Sequence, residues 1–389
     1  MRREKEILVL LIGLLLVTSV LSAQDRTSNE FGKGIKVIAQ DSSFYLRFGT
    51  RFQTLYSGVY DRGSYEYNDR LLVRRARLKF DGFAYSPKLK YKLELGLTNR
   101  DIGGTPMPEA NNTANIILDA VLKYSFYNNW SIWFGQTKLP GNIERVISSS
   151  SLQFVDRSNL NSAYNLDRDV GLQLHYSAPR FRFISSISKG EGRNITANNA
   201  GGYDYTQRIE WLPFGSFTKK GDYYGADLNR EKDLKLLLGA TYDYNDGASR
   251  ESGQLGKFLR EQGDLKTWFV DAHAKYNGFS TIIEYANKQV IRTPVVTGDG
   301  DVPAEPFMVG TGLNAQAGYL FHNNLEIAVR YTDVNPEKET QANRNKEYTI
   351  GISKYIVGHS LKIQSDVSLV EEGVLPEQYV YRFQVEFSL

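Results

Sequence analysis

Alternation of apolar and polar side chains, repeated in short segments along most of the chain, is the feature that most limits what this sequence can form. The segments are about 10 residues long and have the period of a β-strand, in which neighbouring side chains point to opposite faces. Between 74 and 84, for example, Ala76, Leu78 and Phe80 are apolar and the residues between them are charged. Sixteen such segments occur, at 44–56, 74–84, 89–97, 116–126, 130–137, 170–176, 181–188, 205–212, 234–244, 265–276, 279–287, 311–320, 325–331, 347–355, 361–369 and 379–389.

The connections between these segments also alternate in length. Short turns, such as 85–88 and 276–278, are followed by long polar loops, such as 98–115 and 138–168. An up-and-down barrel has short turns at one rim and long loops at the other. The stretch 214–233 is longer than a short turn should be, so the strand count stays open by about two. The pattern predicts an all-β, antiparallel up-and-down β-barrel of about 16 strands.

Composition favours a barrel in a membrane. The chain has 25 Tyr, 20 Phe and 4 Trp, and aromatic side chains form belts at both membrane interfaces of such barrels. Mean hydropathy is only −0.40, because lipid-facing and lumen-facing residues alternate. A closed sheet leaves no backbone group unpaired in hydrocarbon, and sixteen strands enclose an aqueous lumen. The absence of Cys excludes a disulfide framework, and a net charge of +3 does not suit a nucleic-acid-binding protein.

The two ends of the chain indicate the bacterial outer membrane. Residues 1–23 have a basic start, an apolar run and small residues at their end, which predicts a signal peptide; an N-terminal membrane anchor is the alternative. Residues 24–40 are expected to be a short, loose periplasmic segment, and 41–389 to form the barrel. The last segment places aromatic and apolar side chains on one face up to Leu389. This resembles the signal read by outer-membrane assembly machinery, although the last strand of a soluble sandwich would have the same alternation.

A ladder of cations is the strongest local feature. Arg75, Arg77 and Lys79 share the polar face of one segment and are spaced about 6.6 Å apart along a strand. Arg47 and Arg51 lie on the polar face of the preceding segment. In a narrow polar tube such a ladder attracts anions, since guanidinium groups bind phosphate-like oxygens in pairs. Alternatively, these cations pair with lumenal carboxylates such as Asp81, Glu94 and Asp119 and only order the wall.

Five stretches, taken in order, resemble the phosphate-selective porin O/P family. They are VRRARLKFDGF from Val73, GQTKLP from Gly135, DRS from Asp156, RDVGLQL from Arg168 and EWLPFG from Glu210. The resemblance implies a trimeric, sixteen-stranded porin with a loop folded into the lumen, and 138–168 fits that loop by position. It also implies that Arg75, Arg77 and Lys79 line the pore and that Lys138 lies near the constriction.

The function expected from these features is passive diffusion of small hydrophilic solutes, with a preference for anions such as phosphate. The expected partners are outer-membrane lipid, small anions and two further copies of the chain, without nucleic acid. No cofactor and no metal site is predicted. A structural or adhesive barrel with a plugged lumen is the alternative. An outer-membrane hydrolase has less support, because the four His are scattered and no G-x-S-x-G sequence is present.

Overall fold

A closed antiparallel barrel is the frame of the molecule. The computed structural model describes residues 30–102, 115–291, 295–296 and 305–389, so the predicted signal peptide 1–23 lies outside the described residues. The strands in these ranges are β1 (Ile35–Ile38), β2 (Phe44–Asp61), β3 (Tyr67–Ala84), β4 (Ser86–Gly96), β5 (Ile117–Tyr127), β6 (Trp130–Lys138), β7 (Arg168–Ser177), β8 (Phe181–Ser188), β9 (Asp204–Trp211), β10 (Lys235–Arg250), β11 (Phe258–Tyr276), β12 (Phe279–Val290), β13 (Val295–Val296), β14 (Glu305–Pro306), β15 (Gly310–Leu320), β16 (Leu325–Pro336), β17 (Asn345–Val357), β18 (Leu361–Glu372) and β19 (Gln378–Ser388).

Each barrel strand pairs with the next one along the chain, and the last pairs with the first. β12 pairs with β15, and β19 pairs with β2 over eleven residues, from Gln378 opposite Asp61 to Ser388 opposite Arg51. Within the described ranges, sixteen strands therefore form the barrel: β2 to β12 and β15 to β19. Closure removes both edges of the barrel sheet, so each of these sixteen strands has a hydrogen-bonded neighbour on both sides.

The two faces of the sheet differ as the alternation predicts. Phe134, Val270 and Ile350 are exposed on the outside, whereas Arg208, Lys275 and other charged residues are buried on the inside. A soluble protein would bury the first group and expose the second. The arrangement is instead that of a sheet with hydrocarbon outside and a polar lumen inside.

Aromatic rings gather towards both rims of the outer face. Near the short turns, Trp130 packs on Tyr176 with ring centroids 4.9 Å apart. Near the long loops, Tyr331 and Tyr348 are 5.1 Å apart. Two such belts mark the levels at which a barrel meets the lipid headgroups.

All sixteen predicted segments are strands, but their lengths differ from the prediction. β2, β3, β10 and β11 are 16 to 19 residues long, so these strands extend well beyond the predicted segments 44–56, 74–84, 234–244 and 265–276. β1, which the sequence did not predict, pairs with the start of β2 from Ile35 opposite Phe48 to Ile38 opposite Tyr45. The segment expected to be loose before residue 41 is thus partly held by the barrel.

Among the described residues, the connection between β6 and β7 and the connection between β9 and β10 both fold inside the barrel. The loop between β6 and β7 contains the short helices α2 (Ile143–Val146) and α3 (Asn159–Tyr164), while α1 (Asn99–Ile102) follows β4. The segment between β9 and β10 contains a 3-10 helix, Thr218–Tyr223, and this is the stretch that broke the predicted pattern of short turns. Within the described ranges, no helix has the length and apolar character needed to cross a membrane.

Candidate functional site: the charged lumen

The loop 139–167 fills one side of the lumen. The Val155 N–H donates to Asp366 Oδ2 on β18 (3.0 Å), and Gln153 Nε2 donates to Glu326 Oε1 on β16 (2.7 Å). Apolar side chains of the loop also contribute, because Leu160 and Tyr164 pack on Phe269 of β11. The loop therefore lies against the strands from β11 to β18 and leaves space on the side of β2 to β8.

A β-bulge in β3 fixes the middle of this loop to the opposite wall. Gln53 pairs with Arg75 and Thr54 pairs with Val73, so Arg74 is the extra residue. Both guanidiniums reach Asp156 Oδ1 of the loop, at 2.6 Å from Arg74 and 3.4 Å from Arg75. Burial raises the pKa of the Asp156 carboxyl, but the two guanidiniums outweigh burial and lower the pKa below its ordinary value. The Asp156 carboxylate, which is about one-fifth exposed, thus forms a charge cluster with two buried guanidiniums.

A second connection enters the lumen from the rim with short turns, which is the periplasmic rim in barrels of this kind. Lys275 Nζ of β11 donates to the carbonyls of Gly221 (2.8 Å) and Ala226 (2.7 Å) in the segment 212–234. The Gly225 N–H donates to the Ser151 carbonyl (2.8 Å) of the loop 139–167. The two inward connections therefore meet and together fill one side of the lumen.

The space that remains is a cavity of about 1060 Å³ next to β2 to β8. Among its lining residues, thirteen are Lys or Arg and five are Asp or Glu. The basic ones are Lys33, Arg47, Arg51, Arg77, Lys79, Lys92, Lys123, Lys138, Arg145, Arg157, Arg168, Arg182 and Lys220, and the acidic ones are Asp81, Glu94, Asp119, Glu210 and Asp222. The whole chain has a net charge of only +3. The excess of basic residues at the cavity therefore comes from where the fold places them.

Four of the six predicted site residues reach the cavity from β2 and β3. Arg47 Nη2 lies 2.7 Å from Asp81 Oδ2, and Lys79 Nζ lies 3.4 Å from Asp81 Oδ1; both cationic side chains are about two-fifths exposed. Arg51 is buried and donates to the Ser149 hydroxyl of the loop (2.7 Å). Arg77 pairs with Glu94 (3.0 Å) and with a carboxylate of α1.

The other two predicted residues have structural contacts. Lys138 lines the cavity, but its Nζ donates to the carbonyls of Arg145 (2.8 Å), Val146 and Ile147 (both 3.2 Å) at the end of α2. Such a cation satisfies backbone carbonyls that a helix leaves unpaired. Arg75 lies outside the cavity lining, between Gln53 and the loop. Whether any of the six residues binds an anion stays a prediction.

Further lumenal cations lie on β4, β5 and β7, where the sequence predicted no anion-binding residue. Lys92 of β4 bridges Glu94 (2.8 Å) and Asp119 (2.6 Å), and Arg168 of β7 donates to Asp119 (3.1 Å). Lys123 of β5 lies 3.4 Å from the ring centre of Trp133. The positions of Lys92 and Lys123 on the polar face of alternating segments were a usable signal, whereas Arg168 fell in the predicted loop 138–168. Neighbouring strands also had to be aligned before these charges could be seen as one cluster.

The cations and carboxylates of β2 to β5 and β7 thus form two groups of ion pairs, as the alternative interpretation of the ladder predicted. One group surrounds Asp81, and the other runs from Arg77 through Glu94, Lys92 and Asp119 to Arg168. These ion pairs do not neutralise the wall, because the lining has far fewer acidic than basic residues. The wall therefore has ordered side chains and a residual positive charge.

A closed barrel with an apolar outer face, a polar lumen and a loop folded inside defines the class: this is a porin of the bacterial outer membrane. The family model described as phosphate-selective porin O and P matches residues 44–373. The protein therefore belongs to that family.

Solved structures of outer-membrane proteins have the same fold at low sequence identity. DcaP of Acinetobacter baumannii is 14% identical with a TM-score of 0.58, over 92% of this chain and 100% of that one. An anion-selective porin from Comamonas acidovorans is 11% identical with a TM-score of 0.55, over 89% and 100%. OmpT of Vibrio cholerae in its trimer form is also 11% identical, with a TM-score of 0.53 over the same shares. No curated protein matches the chain.

Proposed function

We propose that this porin lets small hydrophilic solutes diffuse passively across the outer membrane and that it prefers anions. The observation that carries the proposal is the excess of eight cations over acids in the cavity lining. A narrow aqueous path between walls of low dielectric concentrates counter-ions of the opposite sign. Such a path favours anions without any covalent step or cofactor.

Phosphate-like oxyanions are the solutes that we propose the wall prefers. Arg47, Arg51 and Arg77 all face the cavity from β2 and β3, and a guanidinium can donate two parallel hydrogen bonds to such an anion. The family name and the anion selectivity of the Comamonas porin are consistent with this preference. The ion pairs to Asp81 and Glu94 keep the guanidiniums ordered without neutralising the whole wall.

Replacing Arg47 and Lys79 together by Gln tests the contribution of the wall. These two are the most exposed of the predicted ladder cations, so their charge acts on solutes more directly than that of the buried ones. We expect the chloride-to-potassium permeability ratio, measured as a reversal potential across a planar bilayer in a KCl gradient, to fall by roughly threefold.

Arg62→Gln combined with Lys257→Gln removes the same charge from the exposed loops and should leave the ratio nearly unchanged. If the permeability ratio fell equally in both double variants, the effect would come from the net charge of the protein and not from the lumenal wall. A cation-selective or unselective wild-type channel would contradict the anion preference and leave a general porin.

We also propose that three copies assemble in the membrane, where lipid covers the rest of the outer face. The solved trimer form of OmpT supports this proposal, because it has the same fold. Native mass spectrometry of the refolded protein in mild detergent should give three times the mass of the mature chain. A single monomeric peak that persists across detergents would contradict a trimer.

One observation favours the plugged barrel as a second candidate. The contact between Gly225 and Ser151 joins the two inward connections and reduces the open cross-section. A correctly folded barrel that never conducts would establish this alternative and remove the channel.

A further inference from the structure

A carboxylate from a loop occupies one edge of a lumenal guanidinium. Arg77 Nε donates to Asp101 Oδ2 (3.1 Å), and Arg77 Nη2 donates to Asp101 Oδ1 (2.7 Å). Asp101 belongs to α1, in the connection that leaves β4 at the rim with long loops. This side-on geometry with two parallel bonds is the one in which an arginine binds a carboxylate or a phosphate.

The two carboxylates that contact Arg77 differ in their other partners: Glu94 belongs to the barrel wall, and Asp101 belongs to the loop. Arg77 Nη1 donates to Glu94 Oε1 (3.0 Å), and Glu94 is shared with Lys92 (2.8 Å) on the same strand. Asp101 accepts its other side-chain hydrogen bond from the Thr98 hydroxyl (3.4 Å), a neutral group. The charge of Asp101 is therefore directed at Arg77.

The backbone around Asp101 fixes this position. Its N–H donates to the Thr98 carbonyl (2.9 Å), and its own carbonyl accepts from Arg193 of the loop 189–203. The carboxylate is nine-tenths buried, as is the side chain of Arg77. A charged pair at such a depth is screened less by salt than a pair at the surface.

We propose that Asp101 is an internal counter-ion that competes with permeating oxyanions for Arg77, so that a loop residue sets the anion affinity of the channel. The inference rests on the proposed anion preference. A phosphate or carboxylate solute that approaches Arg77 meets a guanidinium edge that already holds a carboxylate. It must take the place of Asp101 or pass beside an opposing negative charge.

Asp101→Asn tests the proposal, because the amide has the same shape but carries no charge. We expect phosphate to half-block the chloride current of the refolded barrel at about fivefold lower concentration than in the wild type. The reversal potential in a KCl gradient should shift in the anion-selective direction. Asp101→Ser removes the charge by truncation and serves as a second variant if the amide variant does not refold.

Two comparisons make the result specific to the pair. Glu377→Gln removes one carboxylate at the same rim, where Glu377 pairs with the exposed Arg62, and should change the half-blocking concentration little. In an Arg77→Gln background, Asp101→Asn should have no further effect, since the group for which Asp101 competes is gone. Equal shifts in Asp101→Asn and Glu377→Gln, or a shift that persists without Arg77, would overturn the proposal.

The anion preference of the channel and the counter-ion role of Asp101 can fail separately. A wild-type channel without anion preference would contradict the proposed function, yet release of Arg77 by Asp101→Asn should still move the reversal potential towards anions in any open channel. An anion-selective wild type that does not respond to Asp101→Asn would contradict the counter-ion alone.

Discussion

Replacing Arg208 by Met is expected to lower the free energy of unfolding by about 3–5 kcal/mol, the cost of leaving a buried charge without its partner. Arg208 on β9 is fully buried and donates two bonds to Asp271 (2.7 and 2.9 Å) and one to Glu210 (2.8 Å). It also donates to the Gly141 carbonyl of the inward loop (2.9 Å). The substitution therefore leaves a buried carboxylate without its cation and removes one attachment of the loop. Urea titration of the barrel in lipid vesicles measures the change.

Two further variants distinguish charge from volume. Arg344→Met removes a cation whose partner, Asp333, lies near solvent, and should change stability far less, since exposed pairs contribute little. Arg208→Met combined with Asp271→Leu removes both charges and should recover part of the loss. If Arg208→Met matched Arg344→Met, the buried cluster would not be a source of stability.

Asp156→Asn is expected to release the loop 139–167 from β3, at a cost of about 3–5 kcal/mol. The substitution leaves Arg74 and Arg75 buried beside a neutral amide. A less firmly held loop should give a larger and noisier single-channel current, because this loop occupies one side of the lumen. Single-channel recording and urea titration together test both effects.

The ion pairs of Asp156 with Arg74 and Arg75 should also make the stability of the protein depend on pH, in a direction that follows from the pKa of Asp156. The guanidiniums lower the pKa of Asp156 in the folded protein despite burial, so the stabilisation is complete above the ordinary carboxyl pKa of about 3.9. It is lost only as the pH falls through the lower folded value. The difference in stability between wild type and Asp156→Asn should be constant from pH 8 to about pH 5 and shrink in stronger acid. A constant difference down to pH 2 would show that the charge is not responsible.

Most of the barrel could be predicted from the sequence, because the alternation of side chains along a strand is a local property. A period of two assigns each side chain to a face without knowledge of its neighbours. The sequence therefore predicted the sixteen strands and placed Arg47, Arg51, Arg77 and Lys79 on the lumenal side. Family resemblance added the inward loop and its position after β6.

The partners of these cations could not be predicted in the same way. Arg75 and Asp156 are separated by 81 residues, and Asp101 reaches Arg77 only because α1 turns back over the end of β4. Arg74 joins the cluster because of a bulge that leaves it as an extra residue, whereas unbroken alternation would place it on the outer face. The stretch 214–233 was recognised as too long, but nothing in its sequence indicated that it folds inwards.

By itself, then, the sequence determined the barrel, its apolar outside and its basic inner face, since these depend on residues two positions apart. Only the tertiary structure decided which carboxylate each cation meets, which side of the lumen the two connections fill and which cations are left facing the cavity. Those outcomes depend on pairings across strands and loops that are far apart in the chain, and a buried charge is stable only where such a pairing exists.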